Sequence, residues 1–408
     1  MDKKKKIRIQ NLLFFLSLLL IYLIITLYLF HCQATTDDEL FPADIWVYMA
    51  KMEGQFSKHD FPYPILFQTG KFFLLFTSPE FAIALAAALL NGLTPLALKY
   101  YFDRFLQVRN TDTVKRGVFS TLLVFSLLFA SMLYPLTWLG APPQSFTDEQ
   151  PYRYIGTFTP NPYHNATYLA ARPFSIPAIF LFADILTFYE KEDRWNHPKY
   201  ICFSLFLCLA TLAKPSFTLV FVSMAGIIML WRLLTSHFQK VKAFFQMGIW
   251  FIPTFLVLLY QFGNVYQTNN DSDSIGFGFL TVWSLITKSV SMSILLGIAF
   301  PLTVLLFGLI QRQISGLLKF SWQFYLMALL TMAFLYEEGP RLGHVNFAWG
   351  YMYGLFFAYT ISLIILAKNT LQRGQPVWQL GIQWTVYGLH LICGIDYFRV
   401  LIQGGPYH

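Results

Sequence analysis

The stretch KKKKIRIQNLLFFLSLLLIYLIITLYLFHCQATTDDELFPADIWVYMAKMEG, residues 3–54, decides how the rest of the chain is read. Five basic residues lie between Met1 and Arg8, and Leu12–Phe30 then runs apolar without a charge. Such a run is long enough to cross the ~30 Å of hydrocarbon in a bilayer. No small-residue cleavage site follows it, so it reads as a retained anchor rather than a removed signal peptide. Positive residues stay on the cytoplasmic side, which places the N-terminus inside and the acidic stretch beyond the span outside. From Pro42 that stretch reads as a short surface helix. Ile45, Met49, Met52 and Phe56 recur on an apolar side, and Asp44, Tyr48, Lys51 and Gln55 recur opposite them. Gly54, Pro62 and Pro64 limit its length.

Composition agrees with the reading of the first span. Of 408 residues, 56% are hydrophobic, 19% aromatic and 12% charged, whereas charged residues in a soluble domain reach about a quarter. The fold class expected is an all-α, polytopic helical membrane protein, one domain over residues 1–408, because only helices and closed barrels satisfy their backbone groups in lipid. Following the apolar runs gives about eleven crossings. A first acidic loop with surface helices covers 31–80, and a second loop covers 135–172. Tyr63–Phe76 is too short to cross and reads as a helix dipping into the outer interface. Most of the 29 Lys and Arg fall on the side assigned to the cytoplasm. The net charge of +8 comes from short patches between spans, so no nucleic-acid partner is indicated. The four cysteines show no metal-ligand spacing, and Cys202 and Cys208 read as thiols buried in an apolar run.

Polar residues concentrate in the loops. Asp44, with Asp37, Asp38 and Glu39 close behind, can accept a proton from a hydroxyl. The same carboxylates can instead hold a divalent cation such as Mg or Mn that neutralises a phosphate. Their bland role is to keep the loop solvated. Lys214, in the tight turn Leu209-Ala-Thr-Leu-Ala-Lys-Pro-Ser216, is placed either to hold an anionic headgroup or simply to snorkel to the interface. In the run 337–351, Arg341 suits a bidentate phosphate contact and His344 a hydrogen bond or proton transfer, unless Arg341 only pairs with a Glu between helices. Arg153, Asn161, His164, Asn165 and Arg172 lie among aromatics in the second loop, a composition that grips sugars and also builds interfacial belts. Asn165-Ala-Thr167 fits a glycosylation sequon.

The order of these parts resembles the GT-C superfamily of integral-membrane glycosyltransferases, in the branch of the protein mannosyltransferases and the lipid A aminoarabinose transferase. Asp44, Tyr48, Ala50 and Gly54 look like the acid-Tyr-Ala-Gly rhythm of that family's first loop. Tyr63-Pro64-Ile65-Leu66-Phe67 is similar to its Pro-Pro-Leu-Tyr, Ser78-Pro-Glu-Phe81 fits the entry to its second span, and Leu209–Pro215 is similar to its Leu-Thr-Lys-Gly-Pro turn. The likeness covers residues 9–105 and 200–234. Here Asp38-Glu39 precedes Pro42 instead of opening the surface helix, and one proline replaces two.

The resemblance implies transfer of a sugar from a polyprenyl-phosphate-linked donor to a glycan, lipid or protein acceptor at the outer face of the cell membrane. It implies Asp44 or the Asp37–Glu39 group as base, and Lys214, Arg341 and His344 on the lipid phosphate. The alternatives from other classes are a transporter or flippase of a lipid-linked saccharide and an envelope polysaccharide polymerase. The lysine-rich start and the lack of a soluble domain point to a bacterial plasma membrane.

Overall fold

A computed structural model describes residues 3–36, 40–55, 62–107, 113–140, 158–191, 195–266, 274–287 and 289–406. The chain is all-α and polytopic, as its apolar runs require. The elements are α1 (Lys3–Thr35), α2 (Ile45–Glu53), α3 (Ile65–Leu74), α4 (Pro79–Phe105), α5 (Thr113–Phe129), α6 (Ala166–Ile185), α7 (Pro198–Ala213) and α8 (Ser216–Thr235). They continue with α9 (Val241–Ile249), α10 (Ile252–Tyr266), α11 (Trp283–Ile286), α12 (Val290–Ile310), α13 (Gly316–Phe334), α14 (Ala348–Gln372) and α15 (Val377–Ile402). Two three-residue strands, β1 (Ile275–Phe277) and β2 (Leu335–Glu337), pair antiparallel with Gly276 opposite Tyr336.

Eight described helices are long and apolar enough to cross a membrane, and the pair α9–α10, bent by 52°, makes a ninth. The described helices of span length thus number eight or nine against the eleven crossings expected; α3 and α7 are apolar but shorter. Leu12, Leu16, Leu20, Ile24 and Tyr28 stand exposed down one side of α1, a stripe that lipid solvates and water does not. At the other extreme α14 is buried on every side, from Ala348 to Ala367. It is the axis against which α8, α12 and α13 pack.

Several elements end where the sequence pattern did not. The pass expected at Val118–Tyr134 is helical only to Phe129; residues 130–136 continue as extended chain between α12 and α15. Ser131 N–H donates to the His390 carbonyl (3.1 Å) and Leu133 N–H to that of Leu296 (3.0 Å), so the backbone keeps partners away from water. Pro301 inside α12 frees the Gly297 carbonyl, which accepts instead from the Tyr359 hydroxyl (2.7 Å). The run 282–310 is divided into α11 and α12, and the loop assigned to 135–172 stops at Asn165, where α6 begins. On α2 the expected apolar side is only half right. Ile45 and Met52 are buried, but so is Tyr48, which was placed on the polar side. Tyr48 turns inward because its hydroxyl has partners there. Gly54 does close α2, in the left-handed conformation (φ 79°). Cys202 is exposed on α7 and not buried.

The ends of the bundle differ in charge chemistry. At the end where α4 and α6 finish, Lys99–Asp103 (2.6 Å), Arg104–Asp184 (2.8 Å), Lys199–Asp184 (3.3 Å) and Arg232–Glu190 (3.7 Å) form ion pairs. The end where α1 finishes carries α2, α3 and the site described below.

The close crossing of α15 over the extended chain depends on Gly394. A Cβ there would lie 1.5 Å from the Phe129 carbonyl oxygen, an overlap with backbone that no rotamer relieves. Gly394→Val is expected to lower the thermal midpoint sharply or to abolish monodisperse protein in detergent, since even mild overpacking costs ~1–3 kcal/mol. Gly381→Ala on the same helix meets nothing within 4 Å and is expected to be neutral or stabilising by up to about 1 kcal/mol.

Candidate functional site

Asn165 organises the site. It is the N-cap of α6, and its Oδ1 accepts from Tyr168 N–H (2.9 Å), the usual way an Asn closes a helix start. The same Oδ1 accepts from the Thr167 hydroxyl (2.8 Å) and from Lys214 Nζ (3.0 Å). Its Nδ2 donates to Asp44 Oδ2 (2.6 Å) and to the Tyr48 hydroxyl oxygen (2.9 Å). One amide thus joins a carboxylate to an ammonium from a turn 170 residues further along the chain. Every hydrogen-bonding position of Asn165 is spent on protein, and the residue is 1% exposed, so the sequon it belongs to is closed to glycosylation.

Asp44 occupies the N-cap position of α2 without using its carboxylate as a cap. Its carbonyl accepts from Val47 and Tyr48 N–H, and its own N–H donates to the His164 carbonyl (3.3 Å). The carboxylate is left to face Asn165, and it is only partly buried. Lys214 sits in the extended residue between α7 and Pro215, which forces the chain into α8. Its side chain is 4% exposed. Nζ donates to Thr167 Oγ1 (2.9 Å) and lies over the rings of Trp349 (4.3 Å) and Tyr63 (5.9 Å), where the ring quadrupoles attract a cation.

Three helix starts meet around that ammonium: α6 through Asn165, α8 directly after Pro215, and α14, whose second residue is Trp349. Neither α8 nor α14 has a side-chain N-cap hydrogen bond. At the start of α14 the Ala348 and Gly350 N–H groups already donate to the Val345 and Phe347 carbonyls, so what these helix starts bring to the ammonium's surroundings is the positive ends of their dipoles. Gly350 lets α8 and α14 approach, because a Cβ there would lie 2.7 Å from Val220 and 3.3 Å from the Ser216 carbonyl.

Burial moves both ionisable partners toward neutrality. It raises the Asp44 carboxyl above its ordinary range, against the opposing pull of Lys214, Asn165, Tyr48 and His344. It lowers the Lys214 ammonium to about 7, against the pull of Asp44. The Tyr48 phenol is pushed well up by burial and by the Asp44 charge, so it remains a neutral donor. The site can take up a proton on Asp44 and present a desolvated cation and the positive ends of helix dipoles to an anion.

The structure thus brings together Asp44 and Lys214. His164 is 4% exposed, with its ring 5.5 Å from that of Trp349. His344 is exposed at the end of a 3-10 turn spanning Gly339–His344, and its charge acts on Asp44. Arg341 lies in the same turn; its side chain falls outside the described residues, as do Arg153, Asp37, Asp38 and Glu39. Among the described residues no three His, Cys, Asp or Glu side chains converge to hold a metal. Asp44 is the one carboxylate at this site among the described residues, and it is already bonded to an amide. Sequence reasoning missed Tyr48, Thr167 and Trp349, and took Asn165 for part of a loop. Asn165 immediately before an apolar run was the available sign of a helix start.

Fold and site together define a multi-pass helical membrane protein in which a buried amide and a buried ammonium form a relay with a half-buried carboxylate at one end of the bundle. No family model, no curated relative and no solved structure matches the chain.

Lys214 supplies a pH signature. Between about 7 and its ordinary value near 10.5, the unfolded chain holds more protons than the folded one, so its contribution to stability rises with pH across that window. Asp44, raised above 3.8, contributes the opposite slope on its own acid-side window. Thermal midpoints measured from pH 7 to pH 9 are expected to lose most of this alkaline rise in Lys214→Met relative to the parent.

Proposed function

We propose that this protein is a glycosyltransferase of the membrane, moving a sugar from a polyprenyl-phosphate-linked donor to an acceptor hydroxyl. The observation that carries the reading is the relay itself: a raised carboxylate two hydrogen bonds from a desolvated ammonium, beneath three converging helix starts. Glycosyl transfer from a lipid phosphate needs a proton acceptor near the incoming hydroxyl and positive charge near the departing phosphate. The resemblance of the first loop and of the Lys214 turn to GT-C enzymes supports the same assignment. The charge distribution is consistent with a site on the outer face, the side the positive-inside rule leaves poor in Lys and Arg.

In the proposed reaction the acceptor hydroxyl gives its proton to Asp44 while its oxygen bonds to the anomeric carbon. The bond between that carbon and the phosphate oxygen breaks, and its electron pair stays on the phosphate. Lys214 and the positive ends of the α8 and α14 dipoles stabilise the charge that accumulates there. The Asn165 amide fixes the separation of acid and cation, and burial makes Asp44 a stronger base than a solvated carboxylate. The aromatic faces of Trp349 and Tyr63 supply stacking surface for a sugar ring. His344, from the turn preceding α14, adds charge within electrostatic range of Asp44, and the resemblance implies a phosphate contact for Arg341 as well.

Reconstituted protein given a polyprenyl-phosphate-linked sugar and an acceptor lipid extract should release polyprenyl phosphate. Asp44→Asn is expected to lower the rate by about 10²–10⁴-fold and Lys214→Met by about 10²–10³-fold, with normal insertion. Full turnover in Asp44→Asn, or translocation of the donor without cleavage, would reject the reading.

A further inference from the structure

Arg172 is the largest charge the proposed reaction leaves unused. It lies on α6 two turns beyond Asn165, about 10 Å deeper along the helix, and it is 0% exposed. Nη1 donates to Asn161 Oδ1 (2.6 Å) and Nη2 to Asn91 Oδ1 (3.1 Å). The guanidinium also faces the rings of Phe356 (5.0 Å) and Tyr168 (5.8 Å). All of these partners are neutral, and no carboxylate among the described residues reaches it. Burying a charge in a protein interior is strongly unfavourable unless an opposite charge accompanies it, and a cation inside a membrane helix normally pairs with another group.

The surrounding hydroxyls do not provide the negative charge. Asn91 Nδ2 donates to Tyr22 (2.7 Å), the Tyr22 and Tyr163 hydroxyls lie 3.1 Å apart, and Tyr163 donates to the Leu128 carbonyl (2.9 Å). That chain runs in one direction, with each tyrosine hydrogen committed. Asn161 Nδ2 in turn donates to the Leu127 and Ala130 carbonyls at the end of α5. Two donors remain. Arg172 Nε is buried without a partner, and so is the hydroxyl of Thr94. Thr94 is 0% exposed and one turn from Asn91 on the same face of α4. Thr26, Thr121 and Thr211, also buried, bond the carbonyl four residues back. Thr94 does not, and the buried Thr254 has no partner either.

We propose that Arg172 and Thr94 hold a small monovalent anion of the halide class, the counter-charge of the guanidinium, between α4 and α6. One guanidinium Nε–H and one hydroxyl suit a monatomic ion; a phosphate or sulfate has more acceptors than these two donors satisfy. A single negative charge balances a single arginine. The proposal does not depend on the activity assigned above.

The test uses the full-length protein in detergent, with thermal unfolding followed at constant ionic strength as chloride or bromide replaces gluconate. An anion bound only to the folded state raises the midpoint with concentration, from about 1 mM to about 100 mM halide. Arg172→Gln is expected to remove that dependence. Thr94→Val, which keeps the charge and the packing volume, should shift half-saturation about tenfold higher, the effect of one charge-assisted hydrogen bond. Lys199→Gln, at the opposite end of the bundle, should leave the response intact. If Arg172→Gln does not fold, Thr94→Val decides alone. Equal midpoints in chloride and gluconate would overturn the site. So would stabilisation by phosphate but not by halide, or an unshifted half-saturation in Thr94→Val.

Discussion

The hydrogen bonds of the Asn165 amide are the constraint on which this structure turns. A carboxylate and an ammonium brought together directly in a buried place would form a closed ion pair with nothing left to offer a ligand. Interposing an amide keeps them apart, satisfies one oxygen of the acid and one donor of the base, and leaves the rest of each group available. The arrangement also fastens α2 to α6 and α6 to the α7–α8 turn. A single side chain therefore sets both the local fold and the electrostatics of the site.

Lipid imposes a second constraint, on everything beneath that site. Backbone groups freed inside the bundle find partners there. The carbonyl freed by Pro301 meets Tyr359, and the extended chain 130–136 borrows partners from α12 and α15. His390 shows how closely these obligations interlock. Its Nε2 accepts from Phe300 N–H (3.2 Å) while Nδ1 lies 2.7 Å from the Ser131 carbonyl oxygen, and the neutral Nδ1–H tautomer serves both. Several buried donors, the indole N–H groups of Trp283 and Trp322 among them, go unmet as Arg172 Nε does; Arg172 differs in carrying a full charge with no carboxylate beside it among the described residues.

The central helix α14 connects the two themes. It is buried along its length, so its N-terminus can enter the site only from within the bundle. Trp349 arrives there as the second residue of the helix, beside Lys214, and the preceding turn brings His344 within electrostatic range of Asp44. The same helix packs Phe356 against Arg172 and Tyr353 against Tyr168, tying the depth of the bundle to its end.

The sequence by itself determined the fold class, an all-α polytopic membrane protein, but not the number of span-length helices. Hydrophobic runs of bilayer length leave a chain few alternatives, and basic clusters mark one set of loops. It also singled out Asp44 and Lys214, because charges beside apolar runs are costly and few. Only the tertiary structure decided that these two belong to one site. The link between them, Asn165, carries no charge and no periodicity that would distinguish it from an ordinary loop asparagine. Tyr48 could not be assigned from helical spacing either, because spacing tells which residues share a face, and the partner decides whether that face looks inward. The extended chain after Phe129 was hidden for the same reason: an apolar run predicts burial, while the carbonyls and amides that let it leave the helix come from distant parts of the chain.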